Sequence, residues 1–376
     1  MKYLFKPKVF TPPVIFCILL GAVSAALWRL SVRYAEVADF FSRTVSYALR
    51  FFLTGATRLI PFSLAELALY TFIPAVLIFA LKFVADNRFD FYWKKELAVI
   101  SKFVFRCAAV FGVFMFLFTF TLGVCYGRTP VNEKMDFERR LLGSEDLVSA
   151  FDVLKRELGG LAESIAYIHP DQSTKMPYGL DEMNKKLNEA YKNMLERHDL
   201  FPRIDSNVKP VIFSVGLSKM HITGIYSFFT GEANINIDFP DYCLPFVAAH
   251  EMAHLMGTAR EDEANFVAFL VCLHSGDDYI RYSGFVNMIE YMGNALYQAD
   301  RDKYYESMAD VPSVVLDEMA SYARFFDKYR NTQISKVARA VNDTYLKTQG
   351  QEQGQKSYGL VVDLATVYLL DIYQEK

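Results

Sequence analysis

Three long apolar runs constrain this chain most: Pro12 to about Leu30, Ser63 to Phe83, and Phe103 to Tyr126. A helix needs roughly 20 apolar residues to cross a bilayer core, so each run is long enough for one span. The chain is 52% hydrophobic with a mean hydropathy of +0.13, and the excess sits in this first third. Beyond Gly127, charged and apolar residues mix at ordinary helical spacing. The sequence therefore predicts a membrane domain over 1–126, with transmembrane helices at about 12–30, 63–83 and 103–126, and a separate body over 127–376.

Basic residues orient these spans. Lys2, Lys6 and Lys8 precede the first run, and Lys82, Arg88, Lys94, Lys95, Lys102 and Arg106 accompany the connection between the second and third. The positive-inside rule puts both groups in the cytoplasm. Three crossings then deliver the body to the extracytoplasmic side of the cell membrane. Five arginines between Arg29 and Arg58 pull the other way. A cleaved signal peptide is the rival reading of the first run, which ends in small residues around Val23-Ser24-Ala25; it leaves the body on the same side. Over about 33–53, Arg33, Glu36, Asp39, Arg43, Ser46 and Arg50 recur every three or four positions against an apolar face. That spacing predicts an amphipathic helix lying along the membrane surface, with packing against the body as the alternative.

The net charge of -3 and the lack of a sustained basic patch outside the membrane region leave no electrostatic footprint for nucleic acid. Cys17, Cys107 and Cys125 lie in or beside apolar runs, so only Cys243 and Cys272 belong to the remainder. This is no disulfide framework.

In the body, helical periodicity runs near 144–166 and 181–199, and strand signals cover Lys209–Val215 and Ala233–Asp238. After Leu244 nearly everything reads as helix, including a long stretch from Pro312 to about Thr348 and a last one from about Ser357 to Tyr373. The Gln- and Gly-rich segment from Lys347 to Gly359 reads as a loop. The expected fold is α+β: three N-terminal transmembrane helices, then a mostly helical domain with a small sheet.

Where sheet gives way to helices, the chain reads AAHEMAHLMGTAREDEANF, and only six histidines occur in all. On a helix, His250 and His254 project from one face a turn apart, which suits two imidazoles sharing a tetrahedral zinc ion. Glu251, beside the first, can reach a metal-bound water without ligating the ion and act as general base. A third ligand is needed. Gly257 stops this helix, and Glu261, Asp262 and Glu263 crowd the first turn of the next, where the helix dipole favours carboxylates even without metal. Glu261 is preferred, because Asn265 lies one turn along the same face and can orient a ligand histidine; Glu263 is the second choice.

These residues resemble the zincin metallopeptidases, and among them the gluzincins, in which HExxH is followed by a Glu on a second helix in an E-x-x-A-[DN]-type setting. The matching positions are His250, Glu251, His254, Glu261, Ala264 and Asn265. The resemblance implies zinc bound by His250, His254 and Glu261, catalysis by Glu251, and a supporting role for Asn265. Six residues separate His254 from Glu261, fewer than in most gluzincins, so the turn at Gly257 must be sharp. The metzincin pattern is rejected, since the position of its third histidine is Arg260. The whole chain also resembles a family of uncharacterised bacterial three-pass membrane proteins carrying this motif.

The resemblance implies a membrane-anchored zinc metallopeptidase, acting on peptide or protein substrates at the extracytoplasmic face. In zincins a strand beside the motif helix pairs with the substrate, and Ala233–Asp238 is expected to do so. His221, Tyr226 and His274 are candidates by type for stabilising an oxyanion, whereas His169 and His198 look incidental and Glu232 has no assigned role. The eleven-residue apolar stretch Ala264–His274 is too short to span lipid, which disfavours cleavage inside the membrane. The competing classes are a sensor or scaffold with a structural metal, and a zinc hydrolase acting on another acyl group.

Overall fold

A computed structural model of the chain describes residues 11–86, 93–165, 173–330, 332–348 and 360–373. Helix α1 (Pro12–Arg33) opens on prolines preset for a first helical turn. It is followed by α2 (Ala35–Arg43), α3 (Val45–Thr57), α4 (Leu64–Asp86) and α5 (Trp93–Thr121). Helices α1 and α5 run parallel and pack through small residues: a Cβ on Gly21 would lie 2.5 Å from the Cα of Gly112, and the Thr119 hydroxyl donates to the Ser24 carbonyl at 3.3 Å. Such small residues let the two backbones approach closely.

Two described helical segments, Pro12–Arg33 and Phe103–Thr121, are long and apolar enough to cross a membrane, rather than the three expected. The middle run does form helix α4, but its apolar part among the described residues is only Leu64–Ile78.

The expected surface helix is two helices, broken at Thr44. Of the expected polar stripe only Ser46 and Arg50 are buried, joined by Ser42, Thr54 and Thr57, whereas Arg33, Glu36 and Arg43 are exposed, as are Phe40, Val45, Phe51 and Phe52. The buried stripe meets the body.

The body continues with α6 (Val131–Lys134), α7 (Ser144–Ser164), α8 (Leu180–Arg197), β1 (Lys209–Pro210), α9 (Ser214–Met220), β2 (Gly224–Ser227) and β3 (Glu232–Ile235). Then come α10 (Leu244–Leu255), α11 (Glu261–Leu273), α12 (Asp278–Ala299), α13 (Arg301–Ala309), α14 (Ser313–Asp327), α15 (Gln333–Thr348) and α16 (Val361–Tyr368). It is mostly helical with one small mixed sheet, in line with the α+β expectation. Every residue of α10 and α11 is buried, as expected of helices apolar on all sides. Helices α8, α12 and α16 pack around this hairpin.

The sheet order is β1-β3-β2, with β1 parallel and β2 antiparallel to β3. The expected strand Lys209–Val215 is cut to two residues. Pro210 has no N–H to give, and the donors of Ile212 and Phe213 go to the Glu66 carboxylate at 2.9 and 2.8 Å instead of to a neighbouring strand. The second expected strand is the central one, with both edges occupied, so it cannot add a substrate strand. That free edge belongs to β2. The long helix expected from Pro312 to Thr348 is also two, α14 and α15, and the Gln- and Gly-rich connection falls largely outside the described residues.

Sheet faces alternate. Gly224 lies against Glu251 of α10, so Ile225, Glu232 and Lys209 face the other way, toward the start of α4. There the buried Glu232 carboxylate accepts from the backbone N–H groups of Leu64 and Ala65 at 3.1 and 2.9 Å and pairs with Lys209, while Lys209 also donates to the Thr57 carbonyl. Glu232 thus caps the helix dipole of α4, a role its sequence neighbourhood does not reveal. The sheet is held between α10 and the helices α3 and α4.

Candidate metal centre

Helix α10 is fixed at both ends. The Ser283 hydroxyl of α12 accepts from Phe246 N–H at 3.1 Å, and midway the Tyr191 hydroxyl of α8 donates to the Ala249 carbonyl at 2.5 Å. At the C-terminus Thr258 N–H bonds to Ala253 O and Gly257 N–H to His254 O, a Schellman arrangement in which Gly257 takes φ +95°. This left-handed residue favours glycine, and it turns the chain back within the short spacing noted above. Helix α11 then starts directly at Glu261.

The turn brings three ligand atoms together. His250 Nε2 and His254 Nε2 are 3.0 Å apart, and Glu261 Oε2 lies 3.2 and 3.4 Å from them. Tetrahedral zinc with bonds near 2.0–2.1 Å separates its ligands by about 3.3 Å. These residues form the group that could hold a metal ion.

Electrostatics ask for a cation at the same point. Burial pushes His254 down, but the charge and hydrogen bond of Glu261 outweigh it and hold the imidazole at about 9. Against its own burial, Glu261 is held well below the carboxylate range by the two histidines. His254 Nδ1 donates to the Thr258 carbonyl at 2.7 Å, which turns Nε2 toward His250 and Glu261.

Glu251 stands beside this group without joining it. Its carboxylate accepts from the Tyr226 backbone N–H, and burial raises its pKa. Oε2 is buried without a partner among the described residues. Gly224 packs on the same side chain, and a Cβ there would collide with the Glu251 Oε1, Cγ and Cδ atoms. A glycine inside a strand marks close approach, which was the one sequence signal for this contact.

The other candidates have different partners. Glu263 pairs with Arg128 at 3.7 Å and Arg260 at 3.2 Å, so Glu261 rather than Glu263 completes the group. Asn265 bonds to Tyr291, and the orienting bond on His254 comes from Thr258. Tyr226 contributes its backbone. His221 caps α9, donates from Nε2 to Tyr329 O at 3.2 Å and stacks on Phe326. His274 is at the far end of α11, about 20 Å along the helix from Glu261 at 1.5 Å per residue, where it meets His198. His169 lies outside the described residues. One residue not singled out from sequence comes near: Tyr345 of α15 reaches the Tyr126 hydroxyl at 3.1 Å, and burial, with the Glu261 charge adding to it, pushes its phenol up to about 12.

A family model described as "Protein of unknown function (DUF3810)" matches residues 41–366. The chain belongs to the DUF3810 family. The match runs from α2 to α16 and takes in the surface helices, α4, α5 and the His-His-Glu group alike. No curated protein and no solved structure matches the chain.

Proposed function

We propose that this chain is a membrane-anchored, zinc-dependent metallopeptidase whose body faces the extracytoplasmic side. The observation that carries the reading is the convergence of His250, His254 and Glu261 on one point, with the free carboxylate oxygen of Glu251 beside it. Two imidazoles and one carboxylate form a donor set suited to catalytic zinc. When bound, the ion would supply Lewis acidity, polarising a substrate carbonyl and acidifying water.

The chain's own groups account for the rest. Glu251, with a pKa raised by burial, takes the proton of the attacking water at Oε2 and returns it to the departing amine. Tyr226 N–H and Gly224 hold its other face in place. The free edge of β2 borders this carboxylate, which favours an extended polypeptide as substrate. The resemblance to zincins points the same way.

Topology supports the siting. Helices α1 and α5 end at the body, whereas α4 begins there; the two helices of span length thus arrive at the body in the same direction. By the positive-inside rule, the basic character of the sequence at 2–8 and 82–95 favours this orientation.

The test uses the full chain in detergent, with zinc measured by elemental analysis and hydrolysis followed on a mixed peptide library. Near-stoichiometric zinc is expected in wild type and Glu251→Gln, with hydrolysis in the wild type alone. Zinc without any Glu251-dependent hydrolysis would shift the reading to a structural metal in a sensor or scaffold. A folded protein that takes up no zinc would end it.

A further inference from the structure

Between β1 and α9 the chain exposes large apolar side chains. Ile212 is 81% and Phe213 58% exposed, and Leu59 (83%) and Phe62 (45%) stand in the turn that leads into α4. Polar loops are the norm at a protein surface, and a cluster of this kind marks contact with something apolar. What it contacts follows from where it is tied. Both oxygens of Glu66, in the first turn of α4, accept from Ile212 N–H and Phe213 N–H. The cluster therefore sits level with the start of that helix. From there α4 runs on with Leu67, Leu69, Phe72, Leu77 and Ile78 all exposed, as on a helix surrounded by lipid.

We propose that Ile212 and Phe213, with Leu59 and Phe62, form a lip that inserts into the interfacial layer of the bilayer, and that the site acts on polypeptide next to a membrane anchor. This rests on the metallopeptidase reading for its second half only. The lip continues directly from β1, and two strand spacings of about 4.8 Å separate β1 from the free edge of β2, roughly 10 Å in all. An extended chain covers that distance in about three residues. Ile225 of β2, 42% exposed on the sheet face away from Glu251, continues the apolar surface toward the cleft. A segment lying along β2 thus has the metal centre on one side and the lipid surface on the other.

The experiment places the sole tryptophan of the full chain at the lip, as Phe213→Trp or Ile212→Trp with Trp28→Phe and Trp93→Phe, in phosphatidylcholine–phosphatidylglycerol vesicles. Brominated lipids serve as quenchers. Expected is blue-shifted emission, quenched more by bromine near the acyl carbonyl than by bromine near the chain end. A chain retaining only Trp28, in α1, is the control. Quenching of Trp28 with none at 212 or 213, where aqueous iodide quenches instead, overturns the lip and leaves the membrane helices standing; no quenching at any of the three overturns both. For the substrate class, an acylated peptide bound to the vesicles is compared with its unacylated form. Sharing a surface raises effective concentration, so a preference on the order of tenfold or more is expected for an anchor a few residues from the scissile bond, falling in Ile212→Asp. Equal rates for both peptides, with zinc and Glu251 dependence intact, would overturn the substrate class and spare the peptidase.

Discussion

The guanidinium of Arg50 lies 3.5 Å from the carbonyl oxygen of Met256, at the end of the helix that carries both histidines. Arg50 is 1% exposed and also donates to Ser42 O, Ser46 Oγ and Thr121 O. It packs on Gly257, where a Cβ would lie 2.7 Å from its Nη2. One side chain thus joins α3, the end of α5 and the turn that delivers Glu261.

Arg50→Met should destabilise the full chain by about 2–4 kcal/mol, because several buried carbonyl groups lose a charged donor. Arg50→Lys should recover only part of this, as one ammonium lacks the planar fork that reaches acceptors on separate elements. Denaturant melts of the detergent-solubilised proteins check it. A change under about 0.5 kcal/mol in Arg50→Met, the usual range for a surface substitution, would contradict the assignment. A body fragment starting near Arg128 should behave still worse, since it lacks α3 altogether.

Gly224→Ala should slow hydrolysis by roughly a hundredfold while leaving zinc content and melting midpoint close to wild type. The nearest atoms to the added methyl all belong to the Glu251 side chain, so the proposed base is the group that moves; misplacing such a group by about 1 Å costs on that order. Wild-type turnover in this variant would remove Glu251 from the role of base.

The pair at the metal helix was legible because helical geometry alone sets it: positions four apart share a face whatever surrounds them. Glu261 was chosen for Asn265 on its face, yet Asn265 bonds to Tyr291, and it is the turn at Gly257 that brings Glu261 to the histidines. Glu232 and Gly224 were not legible, since their partners at Leu64 and Glu251 are far away in sequence. The stripe from Arg33 to Arg50 was visible as a period, but only its end, Ser46 and Arg50, meets protein, and a period does not say which part of a face does. Here the polar face turns inward, the reverse of a soluble protein's surface helix, and its apolar side faces outward. The longer β1 failed for the same long-range reason, as Glu66, distant in sequence, takes the backbone donors of Ile212 and Phe213 that it would need.

Glu261→Ala and Glu263→Ala should separate metal binding from folding, although two positions apart. Loss of Glu261 removes a ligand atom and should weaken zinc binding by at least about a hundredfold, with the fold retained. Loss of Glu263 strands the buried Arg128 guanidinium and should cost about 3–5 kcal/mol while the zinc group stays intact. Zinc titration and denaturant melts on both variants check this. The opposite pattern would make Glu263 the ligand.

Glu290 of α12 should make the protein less stable as pH rises. Burial pushes its carboxyl up to about 7, and the groups that interact with it, the Tyr242, Tyr291 and Tyr322 phenols and the Cys243 thiol, are themselves kept protonated by burial. The sign follows from proton binding: between the unfolded value near 4.3 and about 7, the folded state holds the proton that the unfolded state has released. Stability is therefore full below that window and declines through it, by up to about 3 kcal/mol from this group. Glu290→Gln, which keeps the shape and cannot ionise, should flatten this part of the profile and exceed wild type in stability at pH 8. Melts of the two proteins from pH 4 to 8 measure the difference; curves that run parallel throughout would mean that the carboxyl finds water or a cation when it ionises.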